Sequence, residues 1–217
     1  QTSYSINNWK EISITVAVAL ICLSLFFVFP SEGIFESLTK SMFFLFLIPV
    51  FYIKLVLKRS VSEFGLNLQN AKLGFLWGVI ALLVSLAVLY AFARFTSFQS
   101  QYALPTRVVD SFWSFLIYEF VIINALIFLQ EFFFQGFLLR TLAGKTRFWS
   151  VLICAFVYAG IFFIGKNLDW QKLPFLILSV TGGWVTYQSR SVIYSHCIAL
   201  LFLLILDTYI IYTLRAI

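Results

Sequence analysis

The sequence predicts an all-α fold: a polytopic membrane bundle of about seven transmembrane helices. Three observations carry this. Of the 217 residues, 62% are hydrophobic and only 11% are charged, against about 45–50% and about 25% in a soluble domain. Mean hydropathy is +0.98. The apolar residues gather into seven runs, each near the about 17–25 residues that cross a bilayer. A chain with so little polar surface cannot cover itself in water. Soluble, disordered, collagen-like and disulfide-scaffold classes are thereby excluded.

The runs fall at 12–29, 38–57, 73–95, 112–139, 148–165, 173–188 and 191–213. Each is read as a helix, because an open strand leaves its backbone unpaired in lipid. The first, Ile12 to Phe29, stops at Pro30 and lacks a small-residue cleavage site, so it is expected to stay as a span. Pro49 lies inside the second and is expected to kink it. The third opens on Gly74-Phe-Leu-Trp-Gly78, a GxxxG stretch read as close helix packing. The fourth is long enough to tilt, or to leave the bilayer near Leu139. Pro174 suits the first turn of the sixth. That run is short and holds Gly182-Gly183, which makes it the weakest span. The whole chain, 1–217, reads as a single integral membrane domain. Residues 1–72 supply the N-terminal spans and a polar interfacial loop, and 73–213 supply the core.

The net charge of +6 is a topology signal, not a nucleic-acid footprint. With seven crossings, Lys10, Lys54, Lys58, Arg59, Lys72, Arg140, Lys145, Arg147 and Arg190 share one side. Lys40, Arg94, Arg107, Lys166, Lys172 and Arg215 share the other, a 9 to 6 split. The positive-inside rule then places the N-terminus in the cytoplasm. Cys22, Cys154 and Cys197 are dispersed in apolar runs and read as free thiols.

Ionisable groups at membrane depth are functional candidates by default, with structural pairing as the alternative. Four occur: Glu119 and Glu131 in the fourth run, His196 and Asp207 in the seventh. Asn124, Gln130 and Gln135 are neutral companions. Glu119 and Gln130 are eleven residues apart, as are His196 and Asp207. In an α-helix eleven residues is about 20° off three full turns, so each pair is expected to share a face. The fourth and seventh helices run antiparallel. Glu131 is then expected to meet His196 in the cytoplasmic half, and Glu119 to meet Asp207 in the outer half. One His and three scattered Cys make no zinc site, and no HExxH, nucleophile elbow or phosphate loop occurs.

The run Gln130-Glu131-Phe-Phe-Phe-Gln135-Gly136-Phe-Leu-Leu-Arg140 resembles the first motif, Glu-Glu-x-x-x-Arg, of the CPBP family. That family comprises type II CAAX prenyl endopeptidases and bacteriocin-related Abi proteins. Tyr158-Ala-Gly-Ile-Phe162 is similar to its second motif, Phe-x-x-x-His. Ser191-Val-Ile-Tyr-Ser-His196-Cys-Ile-Ala-Leu200 is similar to its third, His-x-x-x-Asn. Phe64-Gly65-Leu66 with Gly74 and Gly78, and Gly182-Gly183, also resemble family features, so the likeness covers roughly 60–205. The resemblance implies a CAAX-protease-like core in the last four spans. It also implies roles that this chain has largely replaced. In the family, the first Glu and the second-motif His activate a water, and the third-motif His and Asn stabilise an oxyanion. Here those positions hold Gln130, Phe162, His196 and Leu200, and Gln135 stands at the motif-one Arg. Glu131 and His196 are the catalytic remnants. Gln130 cannot act as a general base. Glu119 cannot replace it, being about 16 Å away along the helix.

The expectation is therefore a proteolytically inactive CPBP-like membrane protein, acting as a structural or interaction subunit of a membrane complex. The expected partners are membrane lipids and another membrane protein, with no nucleic acid. No metal is expected, and no cofactor beyond a bound lipid. The location expected is a bacterial-type inner or plasma membrane. Two alternatives stand: an active CAAX-type intramembrane endopeptidase using Glu131 and His196, and a pigment- or haem-binding subunit with His196 as axial ligand.

Overall fold

The computed structural model describes residues 9–164 and 170–215, with the side chains of residues 100, 161–164, 214 and 215 left out. Lys166 and Asp169 lie outside the described residues, as do the side chains of Phe162 and Arg215. Seven long helices occur in the described residues: α1 (Trp9–Val28), α2 (Ile34–Val56), α3 (Ala71–Phe95), α4 (Phe112–Thr146), α5 (Trp149–Ile164), α6 (Leu173–Ser189) and α7 (Val192–Arg215). Their order and places follow the seven apolar runs, and the all-helical membrane bundle is the architecture observed.

The lengths differ from expectation. Five helices are long and apolar enough to cross a membrane: α1, α2, α3, α4 and α7. α5 and α6 have 16 and 17 residues, at or below the lower limit for a span. Burial accounts for α6. It packs against α3, α5 and α7, and Val180 is its one exposed residue. An apolar helix enclosed by other helices has little lipid to match. Pro174 sits in its first turn as expected.

α4 is 35 residues long, more than the 112–139 run predicts. It is not α-helical throughout. Wide turns with i→i+5 hydrogen bonding run over Tyr118–Ile123 and Phe132–Leu139. α2 has two such stretches, Met42–Leu47 and Tyr52–Val56, on either side of Pro49. Widened turns accommodate the donor that Pro49 lacks.

Two apolar cores result. One joins α1, α2, α4 and α5 around Phe132, Phe133, Phe137 and Leu139, all at most 0% exposed. The other joins α3, α6 and α7 around Ala199, Phe202 and Leu203. Close approach at glycines holds the second. A Cβ on Gly74 would lie 2.3 Å from the Tyr194 ring, and one on Gly78 would lie 3.1 Å from Ile198. The GxxxG stretch therefore seats α7 on α3. Gly183 similarly admits Val151 of α5, 3.1 Å from where its Cβ would be.

Cross-links identify the two ends of the bundle. Arg59 pairs with Glu11 at 3.1 Å, Arg140 donates to the Glu63 carbonyl, and Tyr194 donates to the Leu68 carbonyl. The start of α1, the end of α2, the end of α4 and the start of α7 thus lie at one end. The predominantly basic set of Lys and Arg residues gathers there. At the other end, Gln99 meets Tyr209 and Gln171 meets the Ala103 carbonyl.

Candidate functional site

Three helices converge on a polar layer inside the bundle. α4 supplies Asn124, Gln130, Glu131 and Gln135, α6 supplies Thr186, and α7 supplies Ser195 and His196. His196 is the centre. Its Nδ1 lies 3.5 Å from Glu131 Oε2. Its Nε2 lies 2.8 Å from Asn124 Oδ1. The Asn124 amide is oriented by its own Nδ2, which donates to the Phe120 carbonyl at 3.2 Å. Oδ1 therefore faces the imidazole, and Nε2–H is the donor. The Phe128 ring stands edge-on to the imidazole, with centroids 5.5 Å apart. The Glu131–His196 contact is close but lacks hydrogen-bond geometry, leaving Oε2 and Nδ1 buried and unpartnered.

Glu131 is 6% exposed. Its Oε1 accepts from Gln135 Nε2 at 3.3 Å. Gln135 Oε1 in turn accepts from the Thr186 hydroxyl at 2.8 Å. Thr186 Oγ1 is 2.9 Å from Ser195 Oγ, which itself donates to the Val192 carbonyl. Gly182 makes room for this chain: a Cβ there would stand 2.9 Å from Gln135 Nε2 and 3.3 Å from Glu131 Oε1. Gln135 thus sits against bare α6 backbone. Thr186 and Ser195 are fully buried, and sequence reasoning missed both. Ser195 could have been noticed beside His196. Thr186, one of two Thr in its apolar run, carries no signal.

Gln130 points elsewhere. Its Oε1 accepts from the Tyr158 hydroxyl at 2.9 Å, so it faces α5. The expected common face for Glu119 and Gln130 does not occur. The Tyr118–Ile123 turn has i→i+5 bonding, which shifts the phase by about one residue per turn. Glu119, Asn124 and Glu131 all look towards α7 instead. Leu200 is half-buried on α7. The Phe162 side chain lies outside the described residues.

A second polar layer lies nearer the other end. Glu119 is fully buried, and neither of its carboxyl oxygens has a hydrogen-bond partner. Asp207 is within electrostatic reach of it. Asp207 Oδ1 accepts from the Tyr102 hydroxyl at 2.8 Å. Tyr102 lies in the α3–α4 connection. Burial, with Asp207 the next cause, pushes its phenol well above the ordinary range, so it stays a donor.

Beside the polar layer, between α4, α5 and α6, lies a partly open cavity of about 30 Å³, lined by Gln130, Glu131, Gln135 and Tyr158 and by apolar side chains such as Phe134 and Leu178. A water needs about 10–15 Å³, so the space suits about two or three waters and not a peptide. Among the described residues, no three His, Cys, Asp or Glu side chains converge to hold a metal.

Residues 111–202 match the family model described as type II CAAX prenyl endopeptidase Rce1-like. This stretch is an Rce1-like domain. It runs from the start of α4 to within α7, and so contains every side chain of the His196 layer. No curated protein and no solved structure matches the chain. Within the Rce1-like domain, Gln130 and Glu131 of the first motif separate: one contacts α5 and the other contacts the His196 imidazole. Gln135, at the motif-one Arg position, is a bridge to α6. The layer therefore contains a carboxyl, an imidazole and three amides. It can polarise a small molecule and can tie three helices together.

Proposed function

We propose that the chain is a catalytically degenerate Rce1-like membrane protein that acts by binding, as a subunit of a membrane complex. The observation that carries this is the layer's own connectivity. The motif-one base position is an amide engaged by Tyr158, and the chain has a single His. The remaining space is water-sized. General base catalysis contributes about 10²–10⁴-fold, and an oxyanion donor a comparable factor. A site lacking both would lose several orders of magnitude. The chain would sit in a bacterial-type inner or plasma membrane, its basic end and N-terminus in the cytoplasm.

Purified protein, offered a prenylated CAAX peptide in lipid nanodiscs, is expected to give no cleavage, and Gln130→Glu is expected not to create any. A stoichiometric membrane partner is expected to co-purify in mild detergent, and to do so equally with the Glu131→Ala, His196→Ala double variant. Cleavage that disappears in that variant while folding and assembly persist would overturn the reading.

One observation favours an active endopeptidase. Glu131 Oε2 and His196 Nδ1 face each other at 3.5 Å with no hydrogen bond between them, as a pair sharing a small nucleophile would. The haem reading has less support. His196 Nε2 is engaged by Asn124, and a cavity of about 30 Å³ does not admit a macrocycle. An absorption spectrum of the purified protein checks it.

A further inference from the structure

The basic end of the bundle holds a second cavity, of about 250 Å³, apart from the His196 layer. It is lined by Arg140, Arg190, Glu63, Gln69, Ser60 and Ser62, with Asn67 completing it. Its frame is tightly built. Asn67 donates to the Ser62 and Arg190 carbonyls, Asn70 donates to the Ser189 carbonyl, and Val192 N–H donates to the Gly65 carbonyl at 2.9 Å. The Ser191 hydroxyl donates to the Asn67 carbonyl. These bonds lock the 60–70 loop onto the α6–α7 junction. Arg190, at that junction, is held in the left-handed backbone region at φ 60°.

The charges on this frame are unbalanced. Arg140 is fixed through Nε and Nη2 to the Glu63 carbonyl, a neutral acceptor. Glu63's own carboxylate accepts from Ser60 N–H at 3.2 Å, in a capping box. No carboxylate lies within 4.0 Å of either arginine's nitrogens among the described residues. The two guanidiniums repel each other, and the Glu63 carboxylate attracts Arg140 without pairing with it, which leaves the pocket with an excess of one positive charge. Two like charges carried on this frame, with a serine hydroxyl and the Gln69 amide beside them, match an oxyanion. Depth selects its source. The lining residues lie near or beyond the ends of α2, α4 and α6, and Leu68, between two of them, is 67% exposed; anionic lipid headgroups gather at basic sites where spanning helices end.

We propose that this pocket binds a phosphate oxyanion, presented by the headgroup of an anionic phospholipid and clamped between Arg140 and Arg190. The site is independent of whether the Rce1-like domain cleaves anything.

The test uses the full chain, delipidated in detergent and titrated with phosphatidylglycerol, phosphatidylcholine or inorganic phosphate. Binding is read by native mass spectrometry and by the thermal midpoint. Phosphatidylglycerol is expected to be retained over phosphatidylcholine. Arg190→Asn is expected to weaken that retention about tenfold, the loss of one charge-assisted contact. Asn tolerates the left-handed backbone, so this variant is expected to fold. Lys145→Gln removes a charge from the same end but outside the pocket, and is expected to change little. Stabilisation by inorganic phosphate alone, dependent on Arg190, would support the oxyanion site but overturn the lipid as its source. Equal weakening by Arg190→Asn and Lys145→Gln would mean diffuse attraction and overturn the site, as would no effect of Arg190→Asn on any ligand.

Discussion

His196 is held at three points: Asn124 at Nε2, Glu131 near Nδ1, and the Phe128 ring at its side. Each comes from α4, so a single helix sets the ring's orientation and proton position. Removing the Nε2 partner leaves a half-buried donor unpaired. Asn124→Leu, close in size, is therefore expected to cost about 1–2 kcal/mol, read as a lower thermal midpoint in detergent. A histidine nitrogen spectrum is expected to show the Nε2–H form in the parent and a mixture in the variant. An unchanged midpoint and spectrum would mean that the imidazole finds its partner elsewhere. The single His and the Glu131 carboxyl were visible in the sequence as ionisable groups at membrane depth. Asn124 was visible only as a companion. Its role depended on an i→i+5 turn that no residue pattern marks.

At the scale of elements, the glycines separate into two kinds. Gly74 of α3 has the Tyr194 ring where a Cβ would go, whereas Gly160 of α5 has nothing within 4 Å among the described residues. Gly74→Ala must displace the Tyr194 ring that α7 seats on α3 and is expected to destabilise by about 1–3 kcal/mol. Gly160→Ala meets no described neighbour and gains helix propensity, so it is expected to stabilise by about 0.5–1 kcal/mol. Thermal midpoints of the two variants, moving in opposite directions, check this. Equal shifts would mean that the α3–α7 contact is looser than described. Gly74 and Gly182 were legible as packing positions, because a small residue in an apolar helix has few other uses. Which helix each one admits was not legible, since spacing names a face and not the neighbour on it. The widened turns of α2 and α4 were also hidden. Pro49 marks the first of them, but Tyr118–Ile123 contains no Pro or Gly, and the single Gly136 inside Phe132–Leu139 does not mark where that stretch begins.

At the scale of the molecule, the basic end and the lipid-facing surface set how the bundle sits. Large apolar side chains such as Phe75, Leu83, Phe95 and Phe156 are at least 60% exposed, which only lipid or a partner helix can cover. The orientation proposed above rests on the charge split. A membrane-impermeant thiol reagent added to intact cells is expected to label Arg107→Cys and to spare Lys145→Cys until the membrane is opened. The reverse pattern would invert the topology and with it the leaflet assigned to the Arg140–Arg190 pocket. The sequence by itself determined that this is a membrane helical bundle, where its seven helices lie, and which scarce ionisable groups lie inside it. It could do so because each of those properties is local: an apolar run, a length, a residue type in the wrong solvent. Only the tertiary structure decided that Glu131 and Gln130 part company, that α6 is an enclosed short helix, and that two arginines 50 residues apart in the chain share one pocket. Those depend on helix phase and on which faces meet, and packing settles both only when all the helices are in place.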